Sequence, residues 1–251
     1  MLWTNKRRPQ AAIAALLGMT LAGTAMAAPL VVRSAGPSAK SYPAGKSIAD
    51  GSKITLKAGD TLVLLDGRGT RTLSGPGTFN ATATATAAAS TGTTLGALVS
   101  GGGERRARIG AVRSVRADTG PASNPNVWYV DISRSSNMCV ADPSTVTIWR
   151  PDAATPATVT VTRSDGATGK IELAAGQPAE MWPASLPVTD GSQFKLSWAG
   201  AKAPTALKFI VVKPSSPDLT DLAQSLIKAG CNAQLDMLIK TVALPDGSNK
   251  G

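Results

Sequence analysis

The chain of 251 residues has no histidine and only two cysteines, Cys139 and Cys231. Without imidazole there is no Ser-His or Cys-His nucleophile pair and no histidine metal ligand. Two cysteines cannot complete a four-cysteine zinc site or hold an iron–sulfur cluster alone. Acids are scarce, 16 Asp+Glu against 26 Lys+Arg. They nowhere alternate as a calcium loop requires. Aromatics number five Trp, three Phe and two Tyr. These shortages remove most metal and nucleophile chemistry, and leave a basic globular protein suited to binding or scaffolding.

What is present first is an export pattern. Lys6, Arg7 and Arg8 precede an apolar stretch with Ala12, Ile13, Leu16 and Leu17, and Ala25-Met26-Ala27 is a small-x-small cleavage site. Residues 1–27 therefore read as a signal peptide. Gln10, Gly18, Thr20, Gly23 and Thr24 weaken the stretch as a membrane span. Cleavage removes three positive charges and takes the formal charge from +10 to +7. The mature protein is expected in the periplasm or outside the cell. In an oxidising compartment, Cys139 and Cys231 are most simply one disulfide, tying the C-terminal helical segment to a strand region 92 positions earlier.

The mature chain reads as a mainly β protein. Residues 28–79 form a first module of short strands: Leu30-Val31-Val32, Ile54-Thr55-Leu56, Leu62 to Leu65 and Thr70 to Leu73. Gly-centred turns separate them. Residues 80–125 change to Ala/Thr-rich and then Arg-rich sequence and read as a linker. Residues 126–213 hold seven of the aromatics, with strands expected at 127–132, 144–150, 157–163, 169–174, 193–198 and 206–212. Six short strands with turn signals such as Ser164-Asp165-Gly166 predict an antiparallel β-sandwich. Residues 214–243 predict a helical pair: Ser216-Pro217 as N-cap and first-turn proline, Leu219, Leu222, Ala223, Leu226 and Ile227 as an apolar face, and Gly230 as the stop. Leu235, Leu238, Ile239 and Val242 line the second helix, and residues 244–251 are a polar tail.

The first module carries Val31-Val32-Arg33-Ser34-x-Gly36, then Gly45 and Ile48, then Ile54-x-Leu56-x-x-Gly59-Asp60-x-Leu62-x-Leu64, and Leu73-x-Gly75-Pro76-Gly77-Thr78-Phe79. In these residues it resembles the periplasmic FecR-like domain, a small β-rich module of the bacterial envelope. The resemblance covers about 50 residues. In the namesake proteins such a module passes a signal from an outer-membrane receptor to a sigma factor through a membrane helix. This chain has no cytoplasmic helical segment and no retained span after cleavage, so the resemblance implies a free envelope domain.

Candidate chemistry is thin. Gly45-Lys46-Ser47 ends like a phosphate-binding loop, but Lys40 stands where the motif needs glycine. Ser225-x-x-Lys228 lacks the Lys-Thr-Gly partner of penicillin-recognising enzymes. Asp131 and Asp142 flank Cys139 and are the pair considered for facing carboxylates. Asp60, Asp66, Asp165 and Asp190 each adjoin glycine and read as turn formers. The sharpest feature is Arg105, Arg106, Arg108, Arg113 and Arg116, a candidate contact for anionic lipid or lipopolysaccharide phosphates. No aromatic lies among them to stack bases, so neither nucleic acid nor nucleotide is expected. Most tryptophans are expected in the core, with Trp182, beside Pro183, the candidate exposed aromatic. The expectation is a non-enzymatic envelope protein without metal or cofactor, an adaptor for a partner protein or polymer. The alternatives are a carboxylate-dependent glycan hydrolase and a periplasmic sensor coupled to a membrane regulator.

Overall fold

The computed structural model describes residues 28–82, 124–216 and 218–243. Among these residues thirteen strands come first: β1 Leu30–Ala35, β2 Lys53–Leu56, β3 Thr61–Asp66, β4 Gly69–Ser74, β5 Gly77–Asn80, β6 Val130–Asp131, β7 Ser136–Val140, β8 Thr147–Trp149, β9 Ala157–Arg163, β10 Thr168–Leu173, β11 Ala179–Met181, β12 Gln193–Ser197 and β13 Thr205–Val211. Helices α1 Leu219–Ala229 and α2 Asn232–Thr241 follow. The fold is mainly β with a C-terminal helical pair. The signal-peptide reading of residues 1–27, the body of the linker and the tail lie outside the described residues.

In the first module β1-β3-β4 form one antiparallel sheet and β2-β5 a two-stranded ribbon. The apolar run Leu62 to Leu65 explains the architecture, because alternate side chains of a strand leave on opposite faces. Leu62 and Leu64 join Val31, Ile54, Leu56 and Leu73 in the module's own core. Val63 and Leu65, with Leu30 and Val32, pack instead with the helices. A strand buried on both faces has no need of polar alternation.

The motif residues of this module have local work. Gly36 has φ +99°, and a side chain there would run into the Asp60 carboxylate and the Gly59 carbonyl. That carboxylate accepts hydrogen bonds from the Ser38 N–H (2.8 Å) and the Lys57 N–H. Burial pushes the Asp60 pKa up, but the bonds from Ser38 and Lys57 outweigh it and hold the group below the ordinary carboxylate value. A lowered native pKa contributes stability above the unfolded value and loses it as pH falls through the native one. Wild type should therefore lose melting temperature as pH drops below about 4. Asp60→Asn should be the less stable protein near pH 7, with the gap closing on acidification. Melting curves from neutral to acidic pH check this. A gap independent of pH would count against it.

Residues 127–213 build the sandwich from a five-stranded sheet, β10-β9-β12-β13-β7, and a three-stranded sheet, β11-β8-β6. Both sheets contribute to one core, including Val130, Ile148, Val159, Val161, Ile171, Phe194, Leu207 and Phe209. Most pairs are antiparallel, as an antiparallel sandwich predicts, but β13–β7 and β6–β8 are parallel. Such pairings join segments far apart in sequence, so no hairpin signal announces them. The Ser164–Gly166 turn does close the β9–β10 hairpin, with the Arg163 N–H bonded to the Ala167 carbonyl (2.8 Å).

The helices fill the space between the two β units. Leu219, Leu222, Ala223, Leu226, Leu235 and Leu238 share a cluster with Leu30, Val32 and Leu65 on one side and Val127, Cys139 and Val212 on the other. Fully burying a large aliphatic side chain is worth roughly 1.5–3 kcal/mol, so this shared layer is a principal tie between the units. Thr70 adds a polar tie, its N–H bonding to the Val242 carbonyl (2.8 Å) and its Oγ1 to the Ile239 carbonyl (2.9 Å). The helix start differs from the sequence expectation. Asp218, not Ser216, is the cap residue. Ser216 instead accepts the Asp218 N–H on its Oγ (3.2 Å), while its own N–H donates to Asp221 (2.8 Å). Gly230, at φ 70°, ends α1 as expected.

Candidate functional site

The two cysteines meet as the sequence predicts. Cys139 on β7 and Cys231 at the head of α2 form a disulfide with Cα atoms 5.9 Å apart. Beside it lies a group that sequence reasoning missed. Gln234 is buried at 4 % exposure on α2. Its Oε1 accepts the Cys139 N–H (2.7 Å), and its Nε2 donates to the carbonyls of Cys139 (2.8 Å) and Val127 (2.8 Å). β7 is the outer strand of its sheet, so an amide side chain here supplies the ladder bonds that a neighbouring strand would give. The signal was available: Gln234 sits four residues before Leu238, on the apolar face of the helix.

This lock forms one wall of a cleft of about 400 Å³ between the sandwich and α2. Val127, Met138, Trp149 and Met237 give it apolar lining, and Tyr129 an amphipathic one. Asn124, Asp131, Ser133, Arg134 and Ser136 border it from the sandwich, and Ala233, Gln234, Asp236 and Lys240 from the helix. An apolar lining with a few convergent polar groups is the usual make-up of a ligand pocket.

The charges of the cleft fall into two groups. Asp131 already accepts the Ser133 N–H (2.9 Å) and Oγ–H (2.6 Å), and Asp236 pairs with Arg33 of β1. Arg134 and Lys240 have no ion-pair partner among the described residues. The engaged charges are thus acidic and the unengaged ones basic.

The carboxylates named from sequence are turn formers. Asp142 repeats the arrangement of Asp131, accepting the Ser144 N–H (2.9 Å) and Oγ–H (2.6 Å), which lower its pKa. Asp131 and Asp142 therefore each serve their own serine turn, and only Asp131 lines the cleft. Asp165 sits in a fork from Arg163 and also accepts the Ala167 N–H, which bring its pKa to about 2. Asp190 accepts the Val211 N–H (2.9 Å), and Glu172 the Thr158 hydroxyl (2.6 Å). Arg150 is buried and donates to the carbonyls of Gln177, Thr155 and Ala174, so it staples loops together. Gly45-Lys46-Ser47 is a turn against β1, with the Val31 N–H bonded to the Lys46 carbonyl (2.8 Å). No cluster of three or more metal-ligating side chains occurs among the described residues.

Trp182 requires correction. It is buried at 9 % exposure rather than displayed. The turn after it folds back, so that its Nε1–H donates to the Leu186 carbonyl (2.7 Å). Its ring meets Phe194 and Phe209 edge-on at 5.0 and 5.2 Å. Pro183, which suggested an exposed tip, instead opens the turn that folds back on the indole, with the Leu186 N–H bonded to the Pro183 carbonyl (3.0 Å). Arg105, Arg106, Arg108, Arg113 and Arg116 lie outside the described residues.

The sequence matches no protein-family model and no curated protein.

Proposed function

We propose that the protein is an exported, non-catalytic component of the bacterial envelope that binds a partner protein or envelope polymer as an adaptor. The observation that carries this reading is the cleft between sandwich and helices. It joins an apolar lining to two basic groups with no ion-pair partner among the described residues, on a scaffold held by a disulfide. Export rests on the Lys6–Arg8, apolar and Ala25-Met26-Ala27 sequence of residues 1–27. A long-range disulfide suits an oxidising compartment. The FecR-like reading of residues 28–79 rests on the quoted sequence pattern alone, in which Gly36 and Asp60 have local structural roles. The hydrolase alternative has little to draw on, because the described carboxylates beside the cleft are already held by Ser133 and Arg33. The arginine run remains a proposed second contact, toward anionic lipid or lipopolysaccharide.

Immobilised protein should retain envelope material saturably. Ala233→Trp, which places an indole in the cleft from the first turn of α2, should lose that retention while keeping the disulfide and the melting temperature. Equal retention by wild type and the filled variant would contradict a role for the cleft.

A further inference from the structure

We propose that the cleft recognises an acidic peptide segment, one with a carboxylate beside a large apolar side chain. This rests on the binding reading above and names its ligand class.

Charge sets the sign. Arg134 comes from the turn between β6 and β7, and Lys240 from the last turn of α2, so the two cations approach from the two walls. Both are exposed, and neither has an acidic partner among the described residues. Of the two acids of the cleft, Asp236 is offset by Arg33 and Asp131 keeps its charge with one oxygen engaged by Ser133, so that with Arg134 and Lys240 the cleft carries a formal net charge of +1. An incoming carboxylate is therefore attracted and an incoming cation is not.

The lining sets the rest. Met138 and Trp149 are buried, while Met237 is partly buried on the helix. Methionine and aromatic surfaces accept varied apolar side chains because the thioether is flexible and polarisable. A fatty-acid tail would satisfy the apolar lining and the cations. It would leave the Ser136 hydroxyl, which has no partner among the described residues, facing hydrocarbon beside the engaged side chains of Asn124 and Ser133, and polar groups desolvated without a partner are costly. A peptide brings amide N–H and C=O groups at short intervals and can bond to them. A volume of about 400 Å³ holds a few residues rather than a folded domain.

The test uses the full oxidised chain and a phage-displayed library of random seven-residue peptides. Selection should enrich Asp or Glu next to Phe, Trp, Leu or Met. A synthetic winning peptide should bind saturably and weaken with added salt. Arg134→Glu with Lys240→Glu should lower its affinity by about tenfold or more. Both positions are exposed and have no ion-pair partner among the described residues, so the double variant should melt like wild type. Basic or neutral consensus sequences, or affinity unchanged in the double variant, would overturn the proposal. So would saturable binding of dodecanoate in place of any peptide. If Ala233→Trp abolishes envelope retention yet no acidic consensus emerges, the ligand class is wrong and the adaptor reading stands. If retention is indifferent to Ala233→Trp, the adaptor reading of the cleft fails as well.

Discussion

Replacing Cys139 and Cys231 together by Ala is expected to lower the unfolding free energy by about 4–5 kcal/mol. The figure follows from the chain entropy released when a loop of 92 residues is no longer closed in the unfolded state. The loss should reach beyond the sandwich. Cys231 stands at the start of α2, whose Leu235 and Leu238 share a core with Leu30 and Leu65 of the first module. Weakening the anchorage of α2 should therefore loosen the packing of β1 and β3 as well. Urea unfolding followed by tryptophan fluorescence gives the free energy. Hydrogen exchange on β1 and β3 tests the reach. A double variant within 1 kcal/mol of wild type would show that noncovalent packing alone holds α2 to β7.

Gln234→Leu is expected to cost about 3–5 kcal/mol, although it swaps residues of similar size. It leaves the Cys139 N–H and C=O and the Val127 C=O without their side-chain partner in a buried place. Each such orphan costs about 1–3 kcal/mol, less where water or a shift of backbone can help. Gln234→Glu separates polarity from volume. Its carboxylate keeps the acceptor for Cys139 N–H but faces two carbonyls that the native amide served as donor. Burial and those carbonyls should raise the native pKa of this glutamate above its unfolded value. The protonated form is then favoured in the fold, and the penalty should shrink as pH falls. Chemical denaturation of the Leu variant and pH-dependent melting of the Glu variant measure both effects. A Leu variant as stable as wild type would mean that water or another group completes the β7 ladder.

Sequence reading succeeded where the determinant was local. β9 falls at Ala157–Arg163 as expected, because Val159 and Val161 alternate with threonines over one buried face. The helix stop at Gly230 was legible for a similar reason, since a left-handed residue is a single-position requirement. The disulfide was legible because the chain has only two cysteines. β7 was not assigned as a strand, because its first residues, Ser136 and Asn137, carry no apolar alternation. Its last three are all buried, inward against the sandwich and outward against the helices. β11 is three residues long and displays Met181, the one large apolar side chain exposed among the described residues. The cleft had no signature at all. Asp131, Trp149 and Lys240 come from separate parts of the chain, and parallel pairing of β6 with β8 sets the first two opposite each other. Trp182 failed differently: a Pro-rich turn signals a change of direction but not which side the preceding ring takes.

The adaptor account turns on whether the junction cleft is the surface that meets a partner. A photo-crosslinking residue placed at Ser133, on the rim of the cleft, addresses this in the intact envelope. The same residue at Lys195, on the outward face of the five-stranded sheet, is the control. The account predicts a discrete covalent adduct from position 133, none from position 195, and loss of the adduct when Ala233→Trp is added. Adducts from position 195 alone, or an adduct from position 133 that survives Ala233→Trp, would contradict it.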